Sequence, residues 1–318
     1  VNSALFSPDG NYILLVSNES TVQLWDSTLR TQVLTLYGHD REVICAAFSR
    51  NGAYIITGSH DGTIKIWNAL TGLLLRTMEN HSEVACVAIS SDGNHVISGH
   101  YDSIWHVDNG VLSKTLTGHS AEVLSASFSY DGQQIVSASA DQSVKVWDVV
   151  SINEMSPKIS TTSSRILLLA ASPSGDSVIA VLDNLTMQLW SALNGCLLAT
   201  LKGHSAAVNA ICFSPNNKYI ASASDDKLLH VWDTKTGVCS QVLKGHQDSV
   251  ESVCYLNNNQ CIVSGSADGV ILIQNAINGE CLHKYKGHQR LVSCVSISSD
   301  DRLLASAASD YTTRVWEI

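Results

Sequence analysis

Three observations predict an all-β fold built from repeated four-stranded units. A Trp, or a residue in its place, closes a short β-patterned run at an interval close to 42 residues along the 318-residue chain. The markers are Trp25, Trp67, the Trp105/Val107 neighbourhood, Trp147, Trp190, Trp232, Gln274 and Trp316. A Gly-His pair runs in the same phase, with His39, His119, His204, His246 and His288 each 28 residues ahead of the Trp position. Turn dipeptides such as Asn51-Gly52 and Asp61-Gly62 separate runs rich in β-branched and aromatic residues. A unit of this length is one supersecondary element that buries its hydrophobic faces against its neighbours.

The second unit shows how each element is read. Val43 to Phe48 is a first strand and Asn51-Gly52 its turn; Tyr54 to Ser59 is a second strand, ended by Asp61-Gly62. Thr63 to Trp67 is the third, and after Thr71-Gly72 the fourth runs from Leu73 to Met78. No stretch carries a 3.6-residue period long enough for a helix, and none holds 18 consecutive apolar residues. Four antiparallel strands per repeat, arranged radially, make a β-propeller blade.

Gly-His, Phe-Ser-x-Asp-Gly and Trp-Asp at matching places over essentially the full length give a chain that resembles the WD-repeat propellers. The resemblance implies a hydrogen-bonded tetrad in each regular blade: the Gly-His histidine, a Ser or Thr of the second strand, the turn Asp and the Trp. The expected sets are His39, Ser59, Asp61 and Trp67; His119, Ser139, Asp141 and Trp147; His204, Ser224, Asp226 and Trp232. Blade 7 keeps His246, Ser266 and Asp268 but has Gln274 for Trp, and blade 8 has Ala308 where the Ser is expected. Blade 3 is short, with either Trp105 or Val107 at the Trp position, and blade 5 lacks Gly-His. The polar connection 151–164 before blade 5 is expected to be the most mobile internal segment.

Counting strands gives eight sets of three inner strands and seven outer ones, the missing piece being the outer strand of blade 8. One eight-bladed ring is therefore expected, in a single propeller domain over 1–318 cut from a longer chain; the alternative is seven blades plus one extra repeat. A narrower resemblance is to the C-terminal propellers of NACHT- or apoptosome-type signalling ATPases.

Composition narrows the function. The net charge of −10 argues against nucleic acid, whose phosphates need a cationic footprint, and no segment is apolar enough to span a membrane as a helix. Nine Cys, mostly at repeat-equivalent strand positions, read as reduced buried thiols of a cytoplasmic protein, with a nuclear one not excluded. The twelve His include six at the repeat slot, one per blade, so no shared metal is expected among them and no cofactor either. No HExxH, GxSxG or GxxxxGK[ST] pattern is present, which points away from an enzyme.

Function then falls to a surface. In WD-repeat propellers the loops entering the innermost strands and those between second and third strands meet on one narrow face, which the resemblance implies binds peptides or proteins. Here that face is expected to carry Arg41, Glu42, His60, Glu83, Tyr101, Glu122, Asp225 and Leu291. His60 and Tyr101 among Glu42, Glu83 and Glu122 suit a Lys- or Arg-bearing segment. The expected role is a non-catalytic interaction platform, a sensing or regulatory propeller of a multidomain signalling protein that also contacts other domains of its own chain. The alternative is a substrate receptor of a ubiquitin ligase or a chromatin-peptide reader.

Overall fold

The computed structural model of the protein describes residues 3–17, 20–79, 82–99, 103–107, 109–129, 132–149 and 164–318. These form eight separate antiparallel sheets, at 3–36, 43–79, 87–115, 123–148, 166–201, 208–243, 250–286 and 292–317. Each runs in simple meander order, with sequential strands as hydrogen-bonded neighbours. Six sheets have four strands; the fourth and the eighth have three among the described residues. The 151–164 connection, read as the mobile segment, lies outside the described residues up to 163.

The second sheet follows the pattern expected of it, with strands Val43–Phe48, Tyr54–Ser59, Thr63–Asn68 and Leu74–Glu79. Its turns form where left-handed backbone is cheap: Gly52, Gly62 and Gly72 have φ of +70°, +78° and +70°. Side chains complete those turns, Asn51 Oδ1 accepting from Ala53 N–H, and Asn68 Oδ1 from Leu70 and Thr71 N–H. A register shift between Ile66 and Trp67 puts a bulge just before the indole, and the same shift recurs before Trp25, Trp105, Trp190, Trp232 and Gln274.

The chain divides into two compact units, Leu5–Ile166 and Val1–Ala4 with Leu167–Ile318. In each, the core lies between successive sheets. Within Leu5–Ile166, Leu14, Val16, Leu24 and Leu36 of the first sheet pack with Val43, Ile55 and Trp67 of the second. Ile56, Ile64, Ile66 and Met78 then meet Val84, just ahead of the third sheet, and Val96 and Val107 within it. Within the other unit, Ala221, Val231 and Leu243 of the sixth sheet pack with Val250, Val253, Tyr255 and Ile262 of the seventh. Burying each such Leu, Ile or Val stabilises the fold by about 1.5–3 kcal/mol relative to exposure. A single sheet would leave these faces wet, which is why the repeat must be stacked.

Backbone register settles the third sheet. Val96 pairs with Trp105 as Ile55 pairs with Trp67, so Trp105 and not Val107 occupies the Trp position. Val107 instead matches Ala69: its N–H donates to Asn94 O as Ala69 N–H donates to Ala53 O.

Candidate functional site

The tetrads come first, because they hold the loops that form the site. In the second sheet His39 Nδ1 lies 2.8 Å from Asp61 Oδ2, and His39 Nε2 lies 2.7 Å from Thr57 Oγ1. Trp67 Nε1–H donates to the same Thr57 oxygen at 2.9 Å. The carboxylate can only accept, so Nδ1 carries a proton; burial favours the neutral ring, in which the Thr57 hydroxyl donates to Nε2. The arrangement repeats as His119–Ser137–Trp147, His204–Ser222–Trp232 and His288–Ser306–Trp316, with Asp141, Asp226 and Asp310.

Expectation and structure differ at the hydroxyl. Ser59, Ser139 and Ser224 are not tetrad members; Thr57, Ser137 and Ser222, two residues earlier, are. The two positions share a strand face, so alternation alone does not separate them. Trp67 stands opposite Ile55 and reaches the diagonal neighbour Thr57. Ser59 is four residues along, roughly 13 Å at the rise of a β-strand, beyond an indole. Ser59 instead donates to Glu42 O at 2.8 Å and accepts from Asp61 N–H at 3.1 Å, stitching the turn to the incoming loop. The correction completes the eighth sheet, where Ser306 is the hydroxyl and Ala308 is immaterial. In the seventh sheet Ser264, not Ser266, meets His246, and Gln274 Nε2–H donates to Lys244 O in place of the indole contact.

Gly-His is explained by packing. A Cβ on Gly38 would sit 3.3 Å from the Trp67 ring, and on Gly118, Gly203 and Gly287 at 2.9, 3.1 and 2.8 Å from Trp147, Trp232 and Trp316. Only glycine lets the chain cross the indole and deliver His to the Asp. Burial pulls the pKa of His39, His119 and His204 down, against the pull of their Asp partners. Burial would raise Asp61, but hydrogen bonds from Thr63, Asp40 and His39 overcome it and hold the carboxyl at about 2.

Each tetrad presents two loops side by side. The residue before the turn Asp donates its N–H to the residue before the innermost strand: His60 to Glu42 O, Ala140 to Glu122 O, Asp225 to Ala207 O, Ala267 to Ser249 O and Ser309 to Leu291 O. The two loop sets expected to meet are thus joined sheet by sheet.

Four of the expected partner-binding residues come together within Leu5–Ile166. Arg41 Nη1 lies 3.3 Å from Glu83 Oε1 and donates to His60 O at 2.9 Å. The His60 ring stands between Glu42, at 4.0 Å, and Glu83, at 3.9 Å. The Arg41, Glu42 and Glu83 side chains are 59%, 50% and 57% exposed, so water screens these pairs and each contributes little to stability. Glu122 is exposed at the loop pair of the fourth sheet. Tyr101 lies outside the described residues. Asp225 and Leu291 belong to the other unit, at the loop pairs of the sixth and eighth sheets.

Two features there escaped the sequence. Asp225 Oδ1 accepts from Asn209 Nδ2–H at 2.6 Å, and Ser249 Oγ lies 2.6 Å from it and 2.5 Å from Glu251 Oε1. One hydroxyl proton serves the two carboxylates by turns. The second is His230, stacked on His204 with ring centroids 4.0 Å apart. One ligand atom each of His204, Asp226 and His230 lies within 4.8 Å of the others, the group among the described residues with donors for a metal. The sequence argument considered only His of the Gly-His slot, one per sheet, and so missed a pair within one sheet.

The profile of the family described as "WD domain, G-beta repeat" matches residues 1–26, 30–68, 72–107, 110–148, 195–233, 237–274 and 279–317. That is seven matched repeats where eight were expected, and the remaining set of strands, the fifth sheet, falls largely in the stretch the profile leaves out. The unmatched stretch, 149–194, covers the first three strands of the fifth sheet. There the signature has decayed: Ala180 replaces the hydroxyl, paired with Gln188 as Thr57 is with Lys65, and Asn184 replaces the turn Asp. Periodic tryptophan protein 2 of Arabidopsis thaliana is 32% identical over 111 residues, 35% of this chain and 12% of that protein. Anaphase-promoting complex subunit cdc20 of Dictyostelium discoideum is 28% identical over 206 residues, 63% of this chain and 34% of that protein. The chain thus spans about a third or less of these relatives' length. Among solved structures, the computationally designed Ika8 protein is similar at a TM-score of 0.86 and 28% identity, covering 100% of this chain and 96% of that one. With seven matched repeats and the tetrads in place, the chain belongs to the WD domain, G-beta repeat family.

Proposed function

We propose that the chain is a non-catalytic protein-interaction platform, a regulatory or sensing propeller within a larger cytoplasmic signalling protein. The Arg41–Glu42–His60–Glu83 cluster is its recognition point for a Lys- or Arg-bearing segment. The observation that carries this reading is the geometry of the cluster: two exposed carboxylates flank an imidazole, and one of them is only lightly held by Arg41. WD-repeat proteins generally serve as binding platforms, and Arg41, Glu42 and His60 sit on loops fixed by the buried tetrad of the second sheet. An incoming guanidinium can displace Arg41 from Glu83 at small cost, because the existing pair is solvent-screened. His60 then offers a ring edge and face for the aliphatic stem.

Charge complementarity of this kind acts mainly on the association rate and its salt dependence. Capture of an arrayed library of Lys/Arg-bearing peptides by the parent chain, compared with Glu42→Lys/Glu83→Lys, tests it. Loss of basic-peptide binding at unchanged melting temperature is expected; equal binding by both proteins refutes the site. The second reading, a substrate receptor of a ubiquitin ligase, draws on the similarity to a relative whose name places it in the anaphase-promoting complex. It predicts that the bound peptides come from proteins whose turnover the chain accelerates.

A further inference from the structure

On the third strand of the sheets, one register position faces the place that the tetrad hydroxyl takes in the regular ones. Lys65, Lys145 and Arg314 hold it in the second, fourth and eighth sheets, Gln188 in the fifth and Leu272 in the seventh. The sixth sheet places His230 there, opposite Ser222. A flexible cation or an inert side chain is thereby replaced by a rigid donor. His230 is only 5% exposed and lies nearly parallel to His204, the planes 19° apart. Its Nδ1 is buried with no hydrogen-bond partner among the described residues. Gly203 is its near neighbour, and a Cβ on that residue would stand 3.2 Å from the nitrogen. Buried imidazole nitrogens are ordinarily paired, and an orphan next to a second imidazole and a carboxylate asks what it is for.

We propose that His204, Asp226 and His230 form a binding site for a divalent ion of the zinc class. Two imidazoles and a carboxylate are borderline donors that suit Zn²⁺, Co²⁺, Ni²⁺ or Cu²⁺ and not the oxygen-seeking Ca²⁺ or Mg²⁺. Burial, helped by the nearby His204, pulls His230 down to about 4, and burial likewise keeps His204 below its ordinary value. Burial would raise Asp226, but hydrogen bonds from Ser205, His204 and Leu228 hold it below the usual carboxylate range.

The ion takes the place of the proton that joins His204 Nδ1 to Asp226 Oδ2, 2.8 Å apart. That proton is not lost: the imidazole passes to its other tautomer and Nε2–H donates to Ser222 Oγ, which lies 2.7 Å away. The Ser222 proton gives up His204 as acceptor in exchange. A ring lone pair lies in the ring plane, so two parallel rings cannot both aim at one ion. His230 therefore turns about χ2 out of the stack as the ion enters, and water fills the fourth position.

Chelator-stripped chain titrated with Co²⁺ and Zn²⁺, followed by cobalt d–d absorption and by heat, tests the site. About one ion per chain is expected, with a visible band of a low-symmetry nitrogen–oxygen site and a raised melting temperature. His230→Gln, which reproduces the residue of the fifth sheet, should weaken binding about tenfold or more with the metal-free melting temperature nearly unchanged. His230→Leu, after Leu272, is the second variant should the first fold poorly. Cys281→Ser/His283→Ala removes an exposed donor pair on the outer strand of the seventh sheet and should leave binding intact. No binding by the parent chain, equal binding after loss of His230, or binding abolished only by the Cys281/His283 change would each overturn the assignment.

Discussion

Ser137→Ala isolates the tetrad hydroxyl. Ser137 is fully buried; its Oγ lies 2.8 Å from His119 Nε2 and receives Trp147 Nε1–H at 2.8 Å. Removing it strands an imidazole acceptor and an indole donor, both away from water. Each buried orphan costs about 1–3 kcal/mol, so the loss should reach about 2–5 kcal/mol. Sterics contribute nothing, since Ala180 occupies the same register in the fifth sheet. The control is Ser139→Ala, on the same strand face two residues on. Ser139 is as buried as Ser137, but its partners, Ala121 O at 2.9 Å and Asp141 N–H at 3.1 Å, are main-chain groups at a loop end where Ala121 is exposed and the backbone can turn to water. Its loss should be about 1 kcal/mol or less. Urea unfolding followed by Trp fluorescence gives both values from the midpoint at constant m. A loss at Ser139 equal to that at Ser137 would refute the argument.

Three further outcomes follow from the same geometry. Trp147→Ala should cost about 3–5 kcal/mol, whereas Gln274→Ala should cost markedly less, since its Oε1 is already buried without a partner among the described residues; paired denaturation curves decide it. Acid should destabilise the fold in two stages. His39, His119, His204, His246 and His288 titrate below their unfolded value, so their contribution is present above about pH 6.5 and fades as pH falls beneath it. The tetrad Asp residues follow below about pH 4; a melting temperature that rises between pH 7 and pH 5 would contradict the first stage, and one that rises between pH 4 and pH 2 the second. Glu42→Lys/Glu83→Lys should slow association of a basic peptide and flatten its salt dependence, read by stopped-flow at two ionic strengths.

Much of the architecture was legible because two markers share one period. Trp67 with its Gly-His partner placed the strands and turns of the second sheet within a residue or two. The hydroxyl was misplaced because Thr57/Ser59, Ser137/Ser139, Ser222/Ser224 and Ser264/Ser266 offer two candidates on one face. The eighth repeat held the discriminating signal: Ser306 is followed by Ala308 while His288, Asp310 and Trp316 are intact, so only Ser306 could serve. The fifth repeat hid in the opposite way, since Trp190 keeps the phase while Ala180 and Asn184 erase the chemistry. His230 was invisible to a periodic argument because its register position varies from sheet to sheet, and what makes it notable is its neighbours.

The main-chain bond that ties each turn to its incoming loop separates two duties that proteins often load onto the same atoms. Glu42 and His60, Glu122 and Ala140, Ala207 and Asp225, Ser249 and Ala267, and Leu291 and Ser309 share one backbone geometry and no common side chain. Shape is kept by the amide and carbonyl, which substitution does not touch, and the side chains are left over for recognition. Apart from Asp225 and Ser249, whose side chains are tied to Asn209 and Glu251, these positions can therefore be rewritten by residues other than proline with little effect on folding, so binding preference can drift or be redesigned while the scaffold beneath stays constant.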